Sequence, residues 1–259
     1  MSARSEGRPP HYAAGAVRRM EEISIDAWPA LETMLFDGWA IRFADGFSRR
    51  SNSVVPLHPS GKDPLEKIRV CESLYRSRGL PCLFKLTAAS LPEELDGLLA
   101  GEGYRRETES GVQVLARKTA DGPPLEDVIL SAELTDEWLA ALCRMNAYDP
   151  RRHATVRALT ERIGPPRIFA AVMRKGRIIG CGLGVVRQGY AVLFDIVVDE
   201  RFRRQGAGRR IVESLLRWGG KQSAGAAFLQ VLADNSPALA LYAGLRFREA
   251  YRYWYRVKG

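Results

Sequence analysis

The residues with most chemistry to offer lie between Asp195 and Tyr242. Arg203-Arg-Gln-Gly-Ala-Gly208 is a short basic turn with two glycines. It stands between an apolar run, Val192 to Val198, and a segment with apolar residues at Ile211, Val212, Leu215 and Leu216, the spacing of one helix face. A strand, a glycine turn and a helix start together aim unpaired amides and the positive end of a helix dipole at one point. Gly206 and Gly208 lack a Cβ, so a ligand can approach the backbone closely. Arg203 and Arg204 add guanidinium forks suited to phosphate oxygens. The chemistry implied is capture of a phosphorylated ligand, best a pyrophosphate.

Neither G-x-x-x-x-G-K-[ST] nor G-x-G-x-x-G occurs, so the turn is not a Walker loop and not the dinucleotide fingerprint. It reads R-x-x-G-x-G and resembles the [Q/R]-x-x-G-x-[G/A] loop of the GNAT acetyltransferase family. The flanks extend the resemblance. Ile196-Val-Val-Asp-Glu-Arg-Phe202 is similar to that family's fourth strand and its exit. Phe228 to Phe247 is similar to the fifth strand, an Asn turn and a Tyr-bearing helix, and Arg248 to Arg256 to the last strand. The resemblance covers residues 126 to 258.

The resemblance implies an α/β, mixed-sheet GNAT fold and an acyl-CoA-dependent N-acyltransferase. The acyl group most frequent in the family is acetyl, moved directly from acetyl-CoA to a primary amine in a ternary complex. Gln205, Gly206, Ala207, Gly208 and Arg209, with Arg203 and Arg204, would hold the coenzyme's pyrophosphate. The backbone of Ile196, Val197 and Val198 would run beside the pantetheine arm, which requires the sheet to splay after the fourth strand. Asn235 is placed either against the pantetheine or as an Asx cap of the helix at Ser236-Pro237. Tyr242 is the expected general acid, because a phenol of pKa near ~10 can protonate a departing thiolate. Asp195 is the expected base, acting through water. Asp199 and Glu200 are expected at solvent, and His153 on a helix surface. The family pattern Leu-Tyr-x-x-x-Gly-Phe is broken at Arg246, which stands where the glycine belongs and leaves the form of that turn open.

The elements that must position these residues follow from periodicity. Asp127–Glu133 reads as a strand, Thr135–Tyr148 and Arg151–Ile163 as helices, and Ile168–Met173 and Ile178–Arg187 as a hairpin about Lys175-Gly176. Tyr190–Val198 follows Gln188-Gly189 as the next strand. The N-terminal half echoes this order: Glu72-Ser-Leu74 recurs as Glu213-Ser-Leu215, and Gly101 and Tyr104 match Gly244 and Phe247. Where the second copy has its basic turn, the first has Leu57-His-Pro-Ser-Gly-Lys-Asp63, so it reads as a partial copy without coenzyme binding. This layout resembles tandem GNAT proteins. The expected divisions are a tail, 1–15, a degenerate GNAT-like domain, 16–121, and a catalytic domain, 126–259, joined at Gly122-Pro-Pro124. Arg49-Arg-Ser-Asn-Ser53, dense in donors, reads as a polar strand edge or as part of an acceptor groove between the halves.

Composition narrows the setting. The 259 residues are 46% hydrophobic, enough for a packed core, and contain no apolar run long enough for a membrane span. Met1–Pro10 lacks the apolar stretch of a signal peptide, and the four cysteines are scattered, so a reduced, cytoplasmic protein without a metal centre is expected. The net charge of +9 raises nucleic-acid binding as a rival, but the arginines are dispersed and form no recognition motif. The expected partner is a small-molecule or peptide amine, with no nucleic acid and no membrane, and the chain is a monomer or a homodimer. A non-catalytic acyl-CoA sensor is the alternative reading.

Overall fold

The computed structural model describes residues 12–116 and 125–259. The expected linker Gly122-Pro-Pro124 lies outside the described residues. In the N-terminal half, helix α1 (Ala14–Ala27) precedes strands β1 (Glu32–Phe36), β2 (Trp39–Phe43) and β3 (Val54–Pro56). Helix α2 (Pro64–Arg76), β4 (Cys82–Thr87), α3 (Leu95–Gly101) and β5 (Arg105–Leu115) complete it. The C-terminal half comprises β6 (Val128–Ser131), α4 (Asp136–Met145), α5 (His153–Glu161), β7 (Arg167–Arg174), β8 (Arg177–Arg187), β9 (Tyr190–Val198), α6 (Ala207–Lys221), β10 (Ala226–Leu232), α7 (Ser236–Gly244) and β11 (Arg248–Lys258). No helix among the described residues is long and apolar enough to cross a membrane.

Three N-terminal elements differ from what local sequence signals mark. Helix α1 starts inside the expected tail 1–15; it has no capping side chain at Ala13, and charged residues interrupt its apolar face, so little in the sequence marks it. Strand β1 was legible in principle, because Asp37-Gly38 is a strong hairpin dipeptide. Both residues have positive φ (44° and 83°), as a type I′ turn demands. Pro92 follows the β4 strand as a helix-start signal in the sequence, but helix α3 opens only at Leu95. By contrast, Lys175-Gly176 and Gln188-Gly189 both take positive φ and close the β7–β8 and β8–β9 hairpins where the sequence puts them.

All strands join one mixed sheet in the order β1-β2-β3-β4-β11-β5-β10-β9-β8-β7-β6. The element series β2-β3-α2-β4-α3-β5 repeats as β8-β9-α6-β10-α7-β11. The last strand of each series is exchanged: β11 pairs with β4, β5 pairs with β10, and β5 and β11 pair with each other. The two halves therefore share one continuous sheet. One core cluster joins α1, α4 and α5 to one face of it, and a second packs α6 and α7 on the opposite face of the C-terminal half. The third packs α2 and α3 on the N-terminal strands.

Helix α6 approaches β8 unusually closely. Gly180, Gly182 and Gly184 alternate on the strand face beneath it, and a Cβ on Gly182 would lie 2.4 Å from Ile211 Cγ2. This glycine stripe sets the height of α6 over the sheet, and so the position of the turn that precedes it.

Candidate active site

The splay required of the sheet is present. Parallel pairing of β9 with β10 runs from Tyr190 opposite Ala226 to Leu193 opposite Leu229 and then stops. On the other side of β9, Asp195 and Ile196 both fall in a register shift opposite Gly182. Asp195 takes φ of 50°, a conformation that costs a non-glycine residue roughly 1–2 kcal/mol. This bulge bends β9 away from β10 and opens a cavity of about 220 Å³. Asp195 and Ile196 line it from β9, Gln230 from β10, Asn235 from the cap of α7 and Tyr242 from α7 itself.

Beyond Val198 the chain makes a single 3-10 turn, Glu200–Phe202, capped by Asp199, whose side chain accepts from the Arg201 amide. The hydrogen bonds and ion pairs from Arg201 hold the Asp199 carboxyl below its usual range. Arg204 and Gly206 then take φ of 63° and 81°, and α6 begins at Ala207. The amides of residues 204–209 donate to no acceptor among the described residues; the first to do so is Arg210, at 3.1 Å to the Gly206 carbonyl. Consecutive free amides at a helix N-terminus form an anion-binding concavity. Gly208 faces the end of β9 and α7: a Cβ there would meet Leu241 Cδ2 at 3.3 Å and Val198 Cγ2 at 3.7 Å.

The basic side chains around the concavity divide. Arg203 Nε donates to the Val198 carbonyl at 3.2 Å and its head pairs with Glu200. Arg209 pairs with Glu213, and Arg210 with Asp127. The Gln205 side chain accepts from Arg174 at 2.7 Å. Arg204 alone of this group has no ion-pair partner among the described residues.

Tyr242 is buried on α7, and burial pushes its hydroxyl up to about 12. That hydroxyl has no hydrogen-bond partner among the described residues, so it stands in the cavity as a protonated donor. Asn235 accepts from the Ala238 amide at 3.2 Å and is the α7 cap, while also lining the cavity. The helix end that Arg246 left open keeps its form. Phe247 donates to the Tyr242 carbonyl at 3.0 Å, and Arg246 itself takes φ of 68° where glycine would sit without strain. Burial pushes the Asp195 carboxyl up to about 6, against the opposing field of Arg50.

Arg50 was not singled out from its neighbours by sequence. Arg49–Ser53 is not a strand edge; it lies in the connection between β2 and β3, which Asn52 ties together through bonds to Ala44, Gly46, Phe47 and Ser48. Arg49 is spent on Glu107 and Thr108, whereas Arg50 reaches the cavity. The density of donors was the only sequence signal, and it did not separate the two. His153 lies outside the cavity, its ring 3.3 Å from the Tyr148 carbonyl.

Comparison with known proteins places this geometry. The family model described as "Probable histone acetyltransferase Rv0428c C-terminal" matches residues 14–256. A Bacillus subtilis (strain 168) protein described as the uncharacterized N-acetyltransferase YobR is 30% identical over 249 residues, spanning 93% of this chain and 98% of that one. Among solved structures, a GCN5-related N-acetyltransferase from Kribbella flavida superposes with a TM-score of 0.68 at 13% identity, over 93% of this chain and 95% of its own. A tandem GNAT protein from the clavulanic acid biosynthesis pathway superposes with a TM-score of 0.65 at 16% identity, over 96% and 89%. These two likenesses concern the fold.

Proposed function

Because the chain belongs to the acetyltransferase family described by the Rv0428c C-terminal model, within the GNAT superfamily, we propose that it moves the acetyl group of acetyl-CoA directly onto a primary amine. The observation that carries this reading is the run of unpartnered amides at 204–209, set beside the splay of β9 from β10. A pyrophosphate fits the concavity, with Arg204 as its free cation. The open edge of β9 at Ile196–Val198 leads from there to the cavity, a path suited to a pantetheine arm.

At the cavity the amine nitrogen attacks the thioester carbonyl carbon, and the C–S bond breaks. Tyr242, protonated at neutral pH, gives its proton to the departing thiolate. Asp195, largely ionised above pH 6, takes the amine's proton, directly or through one water. Its raised pKa brings this carboxylate closer to the working pH than an exposed aspartate.

Calorimetric titration of acetyl-CoA into the wild type and an Arg204→Glu, Gly206→Glu double variant tests the reading. Micromolar binding, weakened by at least ~100-fold in the variant, is expected when two carboxylates enter an anion site. Wild type that fails to bind acetyl-CoA would overturn it.

A further inference from the structure

The acceptor side of the cavity carries a cation that the transfer chemistry does not use. Arg50 comes from the N-terminal half. Its guanidinium lies over the Trp28 ring at 5.4 Å and the Phe194 ring at 5.2 Å, and those rings are themselves 5.1 Å apart. Its Nε is buried with no hydrogen-bond partner, and the head forms no ion pair among the described residues. Asp195 lines the same cavity, and the two groups feel each other's field without closing into a pair.

This placement is built rather than accidental. Arg42, 2% exposed, donates to the Arg50 carbonyl at 2.7 Å and also to the Trp28 carbonyl. The Tyr75 hydroxyl in turn donates to the Arg42 carbonyl at 2.8 Å. Trp28 Nε1 donates to Ser51 Oγ at 3.0 Å. A buried arginine that clamps both the Arg50 carbonyl and the carbonyl of Trp28, over whose ring Arg50 lies, fixes a second guanidinium that has no ion pair among the described residues and is free to take an anion. Arg is suited to the task because its planar fork binds a carboxylate through two parallel hydrogen bonds.

Resting on the acetyl-transfer reading, we propose that the acceptor is a small amine that also carries a carboxylate, as an amino acid does. Arg50 binds the carboxylate and Asp195 receives the amine. The side chain of Gln230, held by Ser24 Oγ and the Tyr253 hydroxyl at 3.2 Å each, lines the space with them. A cavity of about 220 Å³ admits only a small molecule or the end of a larger one. A fixed cation in its lining opposes the lysine-rich surroundings of a basic protein tail. The N-terminal half thus serves as the acceptor's anchor.

The test is an acetyl-CoA-dependent thiol-release assay on matched acceptors: a panel of α- and ω-amino acids, each beside its decarboxylated amine and its primary amide. The expected result is at least one amino acid whose kcat/KM exceeds that of both analogues by ~100-fold, mostly through KM. Arg50→Gln should reduce that preference to a few-fold by raising KM for the amino acid. It should also move the acid limb of the pH profile upward, a shift that a merely structural role would not produce, because the arginine's field favours the ionised Asp195. Arg50→Lys, which keeps charge over the same rings, should retain part of the preference and controls for folding. Equal or better turnover of the neutral analogues overturns the inference, as does an unchanged preference in a folded Arg50→Gln variant. Acetyl-CoA binding with no carboxylate-dependent turnover overturns it too, while leaving the coenzyme reading standing. Absence of acetyl-CoA binding is the separate failure of that underlying reading.

Discussion

The two strand–turn–helix units of this chain solve the same electrostatic problem in opposite ways. Before α6, the amides of residues 204–209 have no acceptor among the described residues. Before α2, in the corresponding place, the turn is filled from within. The Asp37 carboxylate at the tip of the β1–β2 hairpin accepts from the Gly61 amide at 3.1 Å, the Lys62 amide at 3.0 Å and the Ser60 hydroxyl. Lys67, wholly buried over the Trp39 ring, stands 3.5 Å from that carboxylate and donates to Ser60 Oγ at 2.8 Å. These donors hold Asp37 far below the usual carboxylate range. An acidic side chain thus occupies the position that an anionic ligand is proposed to take in the other half.

The contrast continues along the chain. The Tyr104 amide donates to the Leu99 carbonyl at the end of α3 as the Phe247 amide donates to the Tyr242 carbonyl at the end of α7, so a buried leucine stands where the cavity's phenol does. Gly103, with φ of 85°, stands where Arg246 carries φ of 68°. The turn before α2 is satisfied from within, although the β2–β3 connection keeps positive φ at Asp45 and Ser48 and the Arg42 Nε, Arg50 Nε and Ser53 Oγ atoms have no hydrogen-bond partner among the described residues. Around the turn before α6, Asp195 and Arg204 take positive φ, the amides of residues 204–209 have no acceptor among the described residues and the Asp195 carboxyl is buried, as suits a proposed binding site more than scaffolding.

Four measurements sharpen or break this comparison. Replacing Tyr242 by Phe, one atom short of the wild type and nearer in character to Leu99, should lower kcat by roughly 100- to 1,000-fold at unchanged acetyl-CoA affinity; a rate within two-fold of wild type would remove the phenol from the chemistry. Asp195→Asn should lower kcat/KM about 100-fold and abolish the loss of activity as pH falls through about 6. The same change should stabilise the fold. A carboxylate whose folded pKa is raised contributes fully only below its unfolded value, and that contribution is lost as pH rises through about 6. The variant should therefore gain on the order of 1–3 kcal/mol over wild type at pH 8 and nothing near pH 3, measured by urea unfolding.

Asp37→Ala empties the filled turn and strips Lys67 of its countercharge, so the melting temperature should fall by several degrees. Added inorganic phosphate should then raise it more in the variant than in the wild type. Because the folded pKa of Asp37 is depressed, its contribution is present above the ordinary carboxylate value and lost only as pH falls through the folded one, so the two proteins should converge only in strong acid. The smallest effect is expected from Arg246→Gly, which exchanges left-handed strain for backbone entropy and should stabilise by about 0.5–1 kcal/mol; Gly103→Arg should do the reverse.

Much of the site was readable because it is local. The R-x-x-G-x-G turn, the strand before it and the helix after it need only neighbours in sequence, and they form where the pattern puts them. The same holds for Asn235, which caps α7 through its own turn. Asp195 was named, but its bulge was not, because a register shift depends on which residues of β8 lie opposite. Gly180, Gly182 and Gly184 recur at a period of two, yet what they admit, helix α6, is visible only in three dimensions. Arg203 and Arg204 look equivalent in sequence; the Val198 carbonyl and Glu200 occupy the first, whereas the second has no ion pair among the described residues.

What the sequence determined by itself was the glycine-containing basic turn between a strand and a helix, the helix that bears Tyr242, the mixed α/β class and the echo between the halves, since each rests on short-range spacing and periodicity. Only the tertiary structure decided that the halves exchange their last strands, that Asp37 fills one turn and leaves the other open, and that Arg50 crosses from one half to the cavity of the other. The physical reason is common to all three. They are pairings between groups far apart in the chain, chosen by packing and by the cost of leaving buried polar atoms unpaired, and no local pattern encodes them.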